Sequence, residues 1–161
     1  MDVKIYRGSP AALLPLAMAW QEICNLEDFG FKESYPKFFD SMRELIKDGD
    51  KELLVLLEKD VPVGILGLYT YQLPVSEQLI CSEHLWFVLP EYRRGSYLLV
   101  KTAQIWAKER GCTHYQSSAS HLSSDMHDKL CKIYERFGMR PFETIYIKEL
   151  KDDRVPREDV R

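Results

Sequence analysis

Three long apolar runs in the middle of the chain constrain the fold more than any other feature. ELLVLLEK and VPVGILGLYTYQL are separated around Lys59-Asp60, and SEQLICSEHLWFVLP follows and stops at Pro90. Runs of this length, rich in branched and aromatic residues and bounded by turn residues, predict well-buried strands. The first two runs form a predicted hairpin, and the third extends the same sheet.

Segments with helical spacing lie on both sides of these runs. Before them come a short strand, VKIYRG, and two helices in SPAALLPLAMAWQEICNLE and KFFDSMRELIKDGD. Ser9 is placed to cap the first helix, with Pro10 at its first position. Helices in the first half and strands in the centre indicate one continuous layered domain.

The second half of the chain repeats the alternation of strands and helices. A helix ends at Gly111, where a glycine suits the position after a helix. CTHYQSSAS then forms a strand followed by a polar loop. The helix SSDMHDKLCKIYERFG comes next, opened by Ser123 or Ser124 and closed by Gly138, and RPFETIYIKEL is a final strand. The order β-α-α-β-β-β-α-β-α-β predicts an α/β fold in which a mixed sheet has helices on both faces. We expect one domain over residues 1–150 and a charged, disordered tail over 151–161.

Composition excludes several classes of protein. The 161 residues carry a formal net charge of −3, whereas a dedicated nucleic-acid binder usually shows a basic stripe. No apolar run reaches the roughly 18 residues of a membrane span, and the N-terminal MDVKIYRGSP lacks the apolar stretch of a signal peptide. The four cysteines are widely spaced, which predicts buried thiols in a reducing, cytoplasmic compartment and no metal site.

The loop PEYRRG connects the third long strand to a helix. A strand that ends at a helix N-terminus can form an anion site, because the first N–H groups of the helix and its dipole favour negative charge. Arg93 and Arg94 add positive charge, and Gly95 permits close approach of a ligand to the backbone. By itself the pattern also fits a plain connection.

Two blocks around this loop resemble one known family. LWFVLPEYRRGSYLLVKTAQIWAKERG and KIYERFGMRPFETIYIKEL are similar to motifs of the GNAT superfamily of acetyl-CoA-dependent N-acetyltransferases. The family's V-x-P-E-Y-R strand end corresponds to residues 88–93, and its Y-E-x-x-G-F helix end corresponds to 134–139. Within the family, the sequence most resembles the small GNAT proteins of bacterial viruses. The resemblance covers residues 80–149 in detail and implies a mostly antiparallel sheet with a splayed parallel pair and four helices.

The resemblance implies a binding site for acetyl-CoA as cosubstrate. Its pyrophosphate would lie on the loop, and its pantetheine arm beside the backbone of 86–88, so that the implied binding residues are Phe87, Val88, Arg93, Arg94, Gly95, Ser96, Tyr97 and Leu98. The chain departs from the family's R/Q-x-x-G-x-G/A loop, because Ser96 replaces the first glycine and Leu98 the final small residue. The family usually ends in two strands after the last helix, whereas this sequence provides one, so we expect a partner subunit, as in a homodimer, or a shorter sheet.

The resemblance also assigns the chemistry. Tyr134 matches the position whose phenol lies near the CoA sulfur and acts as the acid for the departing thiolate. Glu83 is the candidate base that removes the proton of the attacking amine, with His84 and His121 as alternatives. Ser117, Ser118 and Ser120 follow the short strand, but no Ser-His-Asp set is recognisable.

The helix–helix connection NLEDFGFKESYP is expected to shape the acceptor site. Its acidic residues Glu27, Asp28 and Glu33 would attract a cationic amine, and aromatic residues in and after it line a pocket or belong to the core: Phe29, Phe31, Tyr35, Phe38 and Phe39. The expected function is transfer of acetyl from acetyl-CoA to a primary amine on a small molecule or protein. The alternative is a GNAT-shaped binding or regulatory protein without turnover, which the atypical loop favours.

Overall fold

The computed structural model describes residues 1–47 and 49–150, without the side chains of 123–125. It contains the strands β1 (Asp2–Ile5), β2 (Lys51–Glu58), β3 (Val61–Gln72), β4 (Leu79–Val88) and β5 (His114–Gln116). The helices are α1 (Leu14–Ile23), α2 (Tyr35–Lys47), α3 (Ser96–Glu109) and α4 (His127–Arg136). The tail predicted over 151–161 lies outside the described residues.

The five strands form one sheet in the order β1-β2-β3-β4-β5. Every neighbouring pair is antiparallel except β4 and β5, which run parallel. Lys59 and Asp60 have positive φ angles of 49° and 65°, and this left-handed pair closes the β2–β3 hairpin with the twist that two-residue hairpins favour. The predicted mixed sheet with a parallel pair is confirmed.

Each face of the sheet carries its own apolar layer. On one face α3 buries Leu99, Ala103 and Trp106 against β2, β3 and β4. On the other face α1 and α2 contribute Leu16, Met42 and Leu45 to a second cluster. The central strands therefore bury both of their faces, which explains why their sequences read as continuous apolar runs.

A buried ion pair links β2 to the helix layer. Glu52 on β2 is 1% exposed and accepts hydrogen bonds from Arg7 at 2.5 and 2.9 Å and from the Trp106 indole at 3.3 Å. The carboxylate thereby ties the segment after β1 to the end of α3.

The first helix begins later than its cap. Ser9 accepts a hydrogen bond from the Ala11 N–H at 3.3 Å, as its capping role predicts, but Pro10–Leu13 form a 3-10 turn. The α-helix starts at Leu14, so Pro15 lies in the first turn, where its missing N–H costs no hydrogen bond.

Two predictions about the second half are wrong. The helix expected to open at Ser123 or Ser124 begins at His127, because His121–Met126 form a 3-10 turn before it. The final strand expected in RPFETIYIKEL is absent from the described residues: 141–150 have no regular structure and all are exposed. A strand needs a neighbour to satisfy its backbone groups, and β alternation in the sequence does not provide one.

Candidate active site

The strands β4 and β5 diverge at the point where the candidate catalytic residues begin. They pair only over Ile80–Ser82 and His114–Gln116. Glu83 directly follows the last paired residue of β4, and Ser117 directly follows the end of β5. Residues 83–88 of β4 pair with β3 alone among the described strands, so the edge that faces β5 is open there. We call this opening the fork.

A hydrogen-bonded cluster occupies the mouth of the fork. The Ser117 hydroxyl donates to Glu83 Oε2 at 2.5 Å, and the Ser118 N–H donates to Glu83 Oε1 at 2.9 Å. The Tyr134 hydroxyl on α4 donates to the Ser118 carbonyl at 3.0 Å. Trp86 stacks on Tyr134 with the ring centroids 6.2 Å apart. The two side chains predicted for catalysis are thus brought together through one residue of the loop after β5.

Burial changes the acidity of both groups. Desolvation raises the pKa of Glu83, and the hydrogen bonds from Ser117 and Ser118 oppose that rise. The pKa of Tyr134 is raised above its ordinary value of 10.0, first by burial and then by the negative charge of Glu83. A carboxylate with a raised pKa is a stronger base than a solvated one, and the phenol stays protonated at neutral pH.

A β-bulge decides which residue of β4 faces the fork. Gly67 of β3 pairs with Leu85 and Leu68 pairs with Glu83, so His84 is the extra residue on β4. His84 lies on the face of the sheet that α1 and α2 cover, with its ring edge-on to that of Tyr69. Burial lowers the pKa of His84. Of these two neighbouring residues, Glu83 therefore lies in the cluster with Tyr134, and His84 lies on the opposite face of the sheet.

His121, the other alternative base, takes part in a different contact. Its ring stacks on His127 with the centroids 3.7 Å apart, and His127 contacts the Ala119 carbonyl at 2.8 Å. This histidine pair lies along the loop between β5 and α4. Among the described residues no group of three or more His, Cys, Asp and Glu side chains is arranged to hold a metal ion.

The loop PEYRRG between β4 and α3 has a helical conformation. Pro90–Gly95 form a 3-10 helix that runs directly into α3, and the N–H groups of Tyr92 and Ser96 donate to the carbonyls of Leu89 and Arg93. In a 3-10 helix the backbone N–H groups bond to carbonyls three residues earlier. The first N–H groups after β4 were expected to be free for an anion, whereas those of Tyr92 and Ser96 are used within this helical turn.

Gly95 serves packing in this structure. A Cβ atom at Gly95 would lie 2.6 Å from Met1 Sδ and 2.9 Å from Leu56 Cδ2, and Gly95 itself is buried. A side chain at this position would therefore point at the core.

The other loop residues divide between the core and the surface. Leu98 packs against the α3 core cluster, whereas the side chain of Tyr97 is 55% exposed. The guanidinium of Arg93 lies 3.5 Å from Met126 Sδ at the start of α4, and Arg94 is exposed. Arg94 is thus placed to meet an anion in solvent, with Ser96 partly exposed at the start of α3.

Two further predicted binding residues have buried side chains. Phe87 belongs to the cluster under α1 and α2, and Val88 belongs to the cluster under α3. Only their backbone could meet a ligand at the open edge of β4. The Trp86 indole N–H, on β4 at the fork, is buried without a hydrogen-bond partner among the described residues. Unpaired buried donors of this kind call for a ligand or a water molecule.

The α1–α2 connection lies beside the loop that follows β5. The Asn25 N–H donates to the Leu122 carbonyl at 2.9 Å, which joins the two segments. Glu27, Asp28 and Glu33 are exposed on this connection. Of the aromatic residues there, Phe31 and Tyr35 are exposed, Phe29 and Phe39 are partly buried, and Phe38 packs on the core.

The comparisons with known proteins establish the family. The sequence profile of the acetyltransferase (GNAT) family matches residues 19–139, and the chain belongs to this family. No individually curated protein matches the sequence.

Solved structures share the fold at low sequence identity. A transcriptional regulator from Bacillus halodurans C-125 is 21% identical with a TM-score of 0.72, covering 92% of this chain and 100% of its own. A ribosomal-protein-alanine N-acetyltransferase from Brucella melitensis biovar Abortus 2308 is 16% identical with a TM-score of 0.69, covering 93% and 100%. The aminoglycoside acetyltransferase AAC(6')-Iy, in complex with the bisubstrate analogue CoA-S-monomethyl-acetylneamine, is 15% identical with a TM-score of 0.65, covering 93% and 97%.

Proposed function

We propose that this protein transfers an acetyl group from acetyl-CoA to a primary amine by direct attack of the amine on the thioester. The observation that carries the proposal is the cluster at the fork, in which Glu83 and Tyr134 are joined through Ser118. Membership of the GNAT family supports the reaction class. A base and an acid held in one cluster are what such a transfer needs, because one proton must leave the amine and one must reach the thiolate.

Glu83 takes the role of the base. Desolvation raises its pKa, which brings the carboxylate nearer to the pKa of an amine that must lose a proton. The two donors from Ser117 and Ser118 hold the carboxylate at the mouth of the fork, where the acceptor amine would enter.

Tyr134 takes the role of the acid. Its raised pKa keeps the phenol protonated, so that it is ready to donate a hydrogen bond to the departing sulfur. To do so the hydroxyl turns away from the Ser118 carbonyl, which accepts its hydrogen in this structure.

The residues around the fork and α3 could hold CoA, but with side-chain charges in place of free loop N–H groups at its pyrophosphate. The open edge of β4 at residues 86–88 offers backbone groups to the pantetheine arm. The pyrophosphate would depend on the charges of Arg93 and Arg94, on the Ser96 hydroxyl and on the dipole of α3, since the preceding turn uses its own N–H groups. Tyr97 and Leu98 would contribute contact surface at the helix start, and Gly95 would contribute none.

The acceptor is a cationic amine. Glu27 and Asp28 lie on the α1–α2 connection, which is bonded to the loop after β5 and so stands near the mouth of the fork. Exposed carboxylates at that place attract an amine that arrives protonated, releases that proton to solvent and then gives a further N–H proton to Glu83 as it attacks the thioester. The proposal includes small-molecule and protein amines, and it places the reaction in the cytoplasm.

Calorimetric titration of the protein with acetyl-CoA, followed by a thiol-release assay with a panel of amines, tests the proposal. We expect one-to-one binding in the micromolar range. Tyr134→Phe should lower turnover about 10²–10⁴-fold, the range for loss of acid catalysis, and change the Kd for acetyl-CoA little. Tyr6→Phe is the matched control, because Tyr6 also donates its hydroxyl hydrogen to a backbone carbonyl, that of Ser9 at 2.8 Å. Equal loss of turnover and affinity in Tyr134→Phe would remove the acid role.

The helical loop favours one second candidate, a GNAT-shaped binding protein without turnover. Its N–H groups are used internally, and Leu98 replaces the small residue of the family's motif. Absence of binding heat and of a thermal shift at millimolar acetyl-CoA would support this candidate and contradict the first. Leu98→Ala separates them further, because a gain in CoA affinity would indicate that the leucine obstructs the site.

We also propose that the protein forms a homodimer through segment 141–150. Five large apolar residues in it are exposed: Phe142, Ile145, Tyr146, Ile147 and Leu150. The outer edge of β5 has no strand beside it among the described residues, so the segment of one copy can pair with β5 of another. Light scattering should give a dimer for the protein and a monomer for Ile145→Asp, with Val75→Asp at an exposed turn as control. A monomer at every concentration would refute this pairing.

A further inference from the structure

The two residues after β5 connect the base and the acid of the proposed reaction. Ser117 gives its hydroxyl hydrogen to Glu83 Oε2 at 2.5 Å. Ser118 gives its N–H to Glu83 Oε1 at 2.9 Å and receives the Tyr134 hydroxyl hydrogen on its carbonyl at 3.0 Å. Both carboxylate oxygens and the phenol are therefore held by one short segment, Ser117–Ser118, which we call the strap.

The strap also brings the two groups within electrostatic range of each other. The charge on Glu83 contributes to the raised pKa of Tyr134, and a hydrogen-bonding contact with Ser117 lowers it. Tyr115 on β5 faces the same carboxylate and Cys131 on α4 faces the phenol. Burial raises the pKa of Glu83, and the hydrogen bonds from Ser117 and Ser118 lower it, so the strap stabilises the charged form of this buried carboxylate.

We propose that the strap is a positioning element that couples the base to the acid, so that arrival of a proton on Glu83 makes Tyr134 a better proton donor. This inference rests on the proposed acetyl transfer and adds to it the role of Ser117 and Ser118. Neither residue touches the substrates in this role; each acts through Glu83 or Tyr134.

The coupling orders the two proton transfers. When the amine nitrogen forms its bond to the thioester carbonyl carbon, one N–H proton passes to Glu83 and neutralises its charge. The carbon–sulfur bond then breaks, and the electron pair leaves on sulfur. The negative charge that opposed ionisation of Tyr134 is now gone, so the phenol donates its proton to the thiolate more readily. Glu83 afterwards returns its proton to the phenolate, directly or through solvent, which restores the starting state; from neutral amine to amide and thiol there is no net change in protons.

Ser117→Ala tests the strap, because it removes one donor to Glu83 and leaves both backbone contacts of Ser118 in place. We expect kcat to fall about tenfold or more, as for loss of a hydrogen bond to a charged group, with little change in KM. The acid limb of the pH–rate profile should move to higher pH, since the carboxylate loses a donor that stabilised its charged form. Ser117→Thr keeps the hydroxyl and should restore both kcat and the limb. Ser120→Ala is the control, because that hydroxyl accepts from the Leu122 N–H at 3.1 Å and belongs to another turn.

A second measurement keeps the proposal testable whether or not Ser117→Ala folds, and it does not need turnover. In the unmodified protein with ¹³C-labelled tyrosine Cζ and glutamate Cδ, the Tyr134 signal should shift through the same midpoint as Glu83, and Glu83→Gln should abolish that shift. A Tyr134 signal that ignores the titration of Glu83 would overturn the coupling. The coupling would also be overturned if Ser117→Ala folds, is active and shows no shift in the acid limb of its pH–rate profile. Failure of the unmodified protein to acetylate any amine would contradict the proposed function, whereas the NMR result decides the coupling by itself.

Discussion

Gly95→Ala separates two roles for the glycine that ends the loop before α3. If the glycine allows a phosphate to approach, the added methyl group weakens CoA binding and leaves stability intact. If the glycine allows the loop to pack, the methyl group lowers stability and leaves binding intact. The structure supports the second role, since the new Cβ would meet Leu56 Cδ2 at 2.9 Å and Met1 Sδ at 2.6 Å.

The expected magnitude follows from these contacts. The Met1 side chain is the end of a flexible chain and can move, but Leu56 is 0% exposed and has little room. Overpacking of a core costs about 1–3 kcal/mol. Gly95 has a φ of −84°, which alanine adopts without strain, so the lower entropy of the unfolded chain gives back about 0.4–1 kcal/mol. The net loss is about 1–2 kcal/mol, or a fall in Tm of about 2–8 °C for a chain of this size.

Calorimetry measures both quantities in one set of samples. We expect the Tm of Gly95→Ala to fall as stated and its Kd for acetyl-CoA to stay within about twofold of the unmodified protein, a change below 0.5 kcal/mol. Leu56→Val frees space beside residue 95, so the double variant should be more stable than the sum of the single losses by about 0.5 kcal/mol or more. An unchanged Tm together with a tenfold weaker Kd would refute the packing role.

Three further predictions concern buried titratable groups. Arg7→Met leaves the carboxylate of Glu52, which is 1% exposed, with only neutral donors. Denaturant titration should show the unfolding free energy lowered by about 2–4 kcal/mol, less than for a fully buried pair because Arg7 is half exposed. A loss below 0.5 kcal/mol would contradict the assigned pairing. Burial raises the pKa of Cys81 to about 12, so this thiol should resist a thiol reagent at pH 8 until the protein unfolds, whereas labelling of Cys81 in the native state within minutes would refute its burial. Burial raises the pKa of Glu83 above 4.5 in the folded state, so the native state binds this proton more tightly than the unfolded state and loses stability as the pH rises through the folded pKa. The Tm of Glu83→Gln minus that of the unmodified protein should therefore increase from pH 4 to pH 8. A constant difference in Tm would count against the shift.

Much of the fold was predictable because local patterns specify it. Continuous apolar runs indicated β2, β3 and β4, and the Lys59-Asp60 pair marked the hairpin between them. Gly111 and Gly138 were placed as helix terminators, and both have the left-handed φ angles of that role, 78° and 74°. These features depend on neighbours in sequence, so the sequence is enough to find them.

The predictions that failed depend on neighbours in space. The segment over 140–150 has the alternation of a strand, but no strand lies beside it among the described residues. The role of Gly95 in admitting a phosphate stays a prediction, and nothing in the sequence shows that Leu56, 39 residues earlier, lies against this glycine. Arg93, Arg94 and Ser96 were expected beside free N–H groups, but the loop winds into a helical turn.

The candidate site shows the same division. Tyr134 and Glu83 were selected from the sequence by their resemblance to family positions, and their roles remain proposals. Ser117 and Ser118 were considered only as members of a hydrolase triad, and Ser118 acts largely through backbone atoms that leave no mark in a sequence. The position directly after β5 was the one available signal.

The sequence by itself determined the order of elements up to α4, the burial of the central strands and the family, because apolar periodicity, turn residues and motifs are local properties of the chain. Only the tertiary structure decided that Glu83 and not His84 lies beside Tyr134. Without the bulge, the alternation of a strand would have placed His84 on the face that carries Trp86. One extra residue in the pairing of β4 with β3 reverses that assignment, and the register of two strands is a property of their contact.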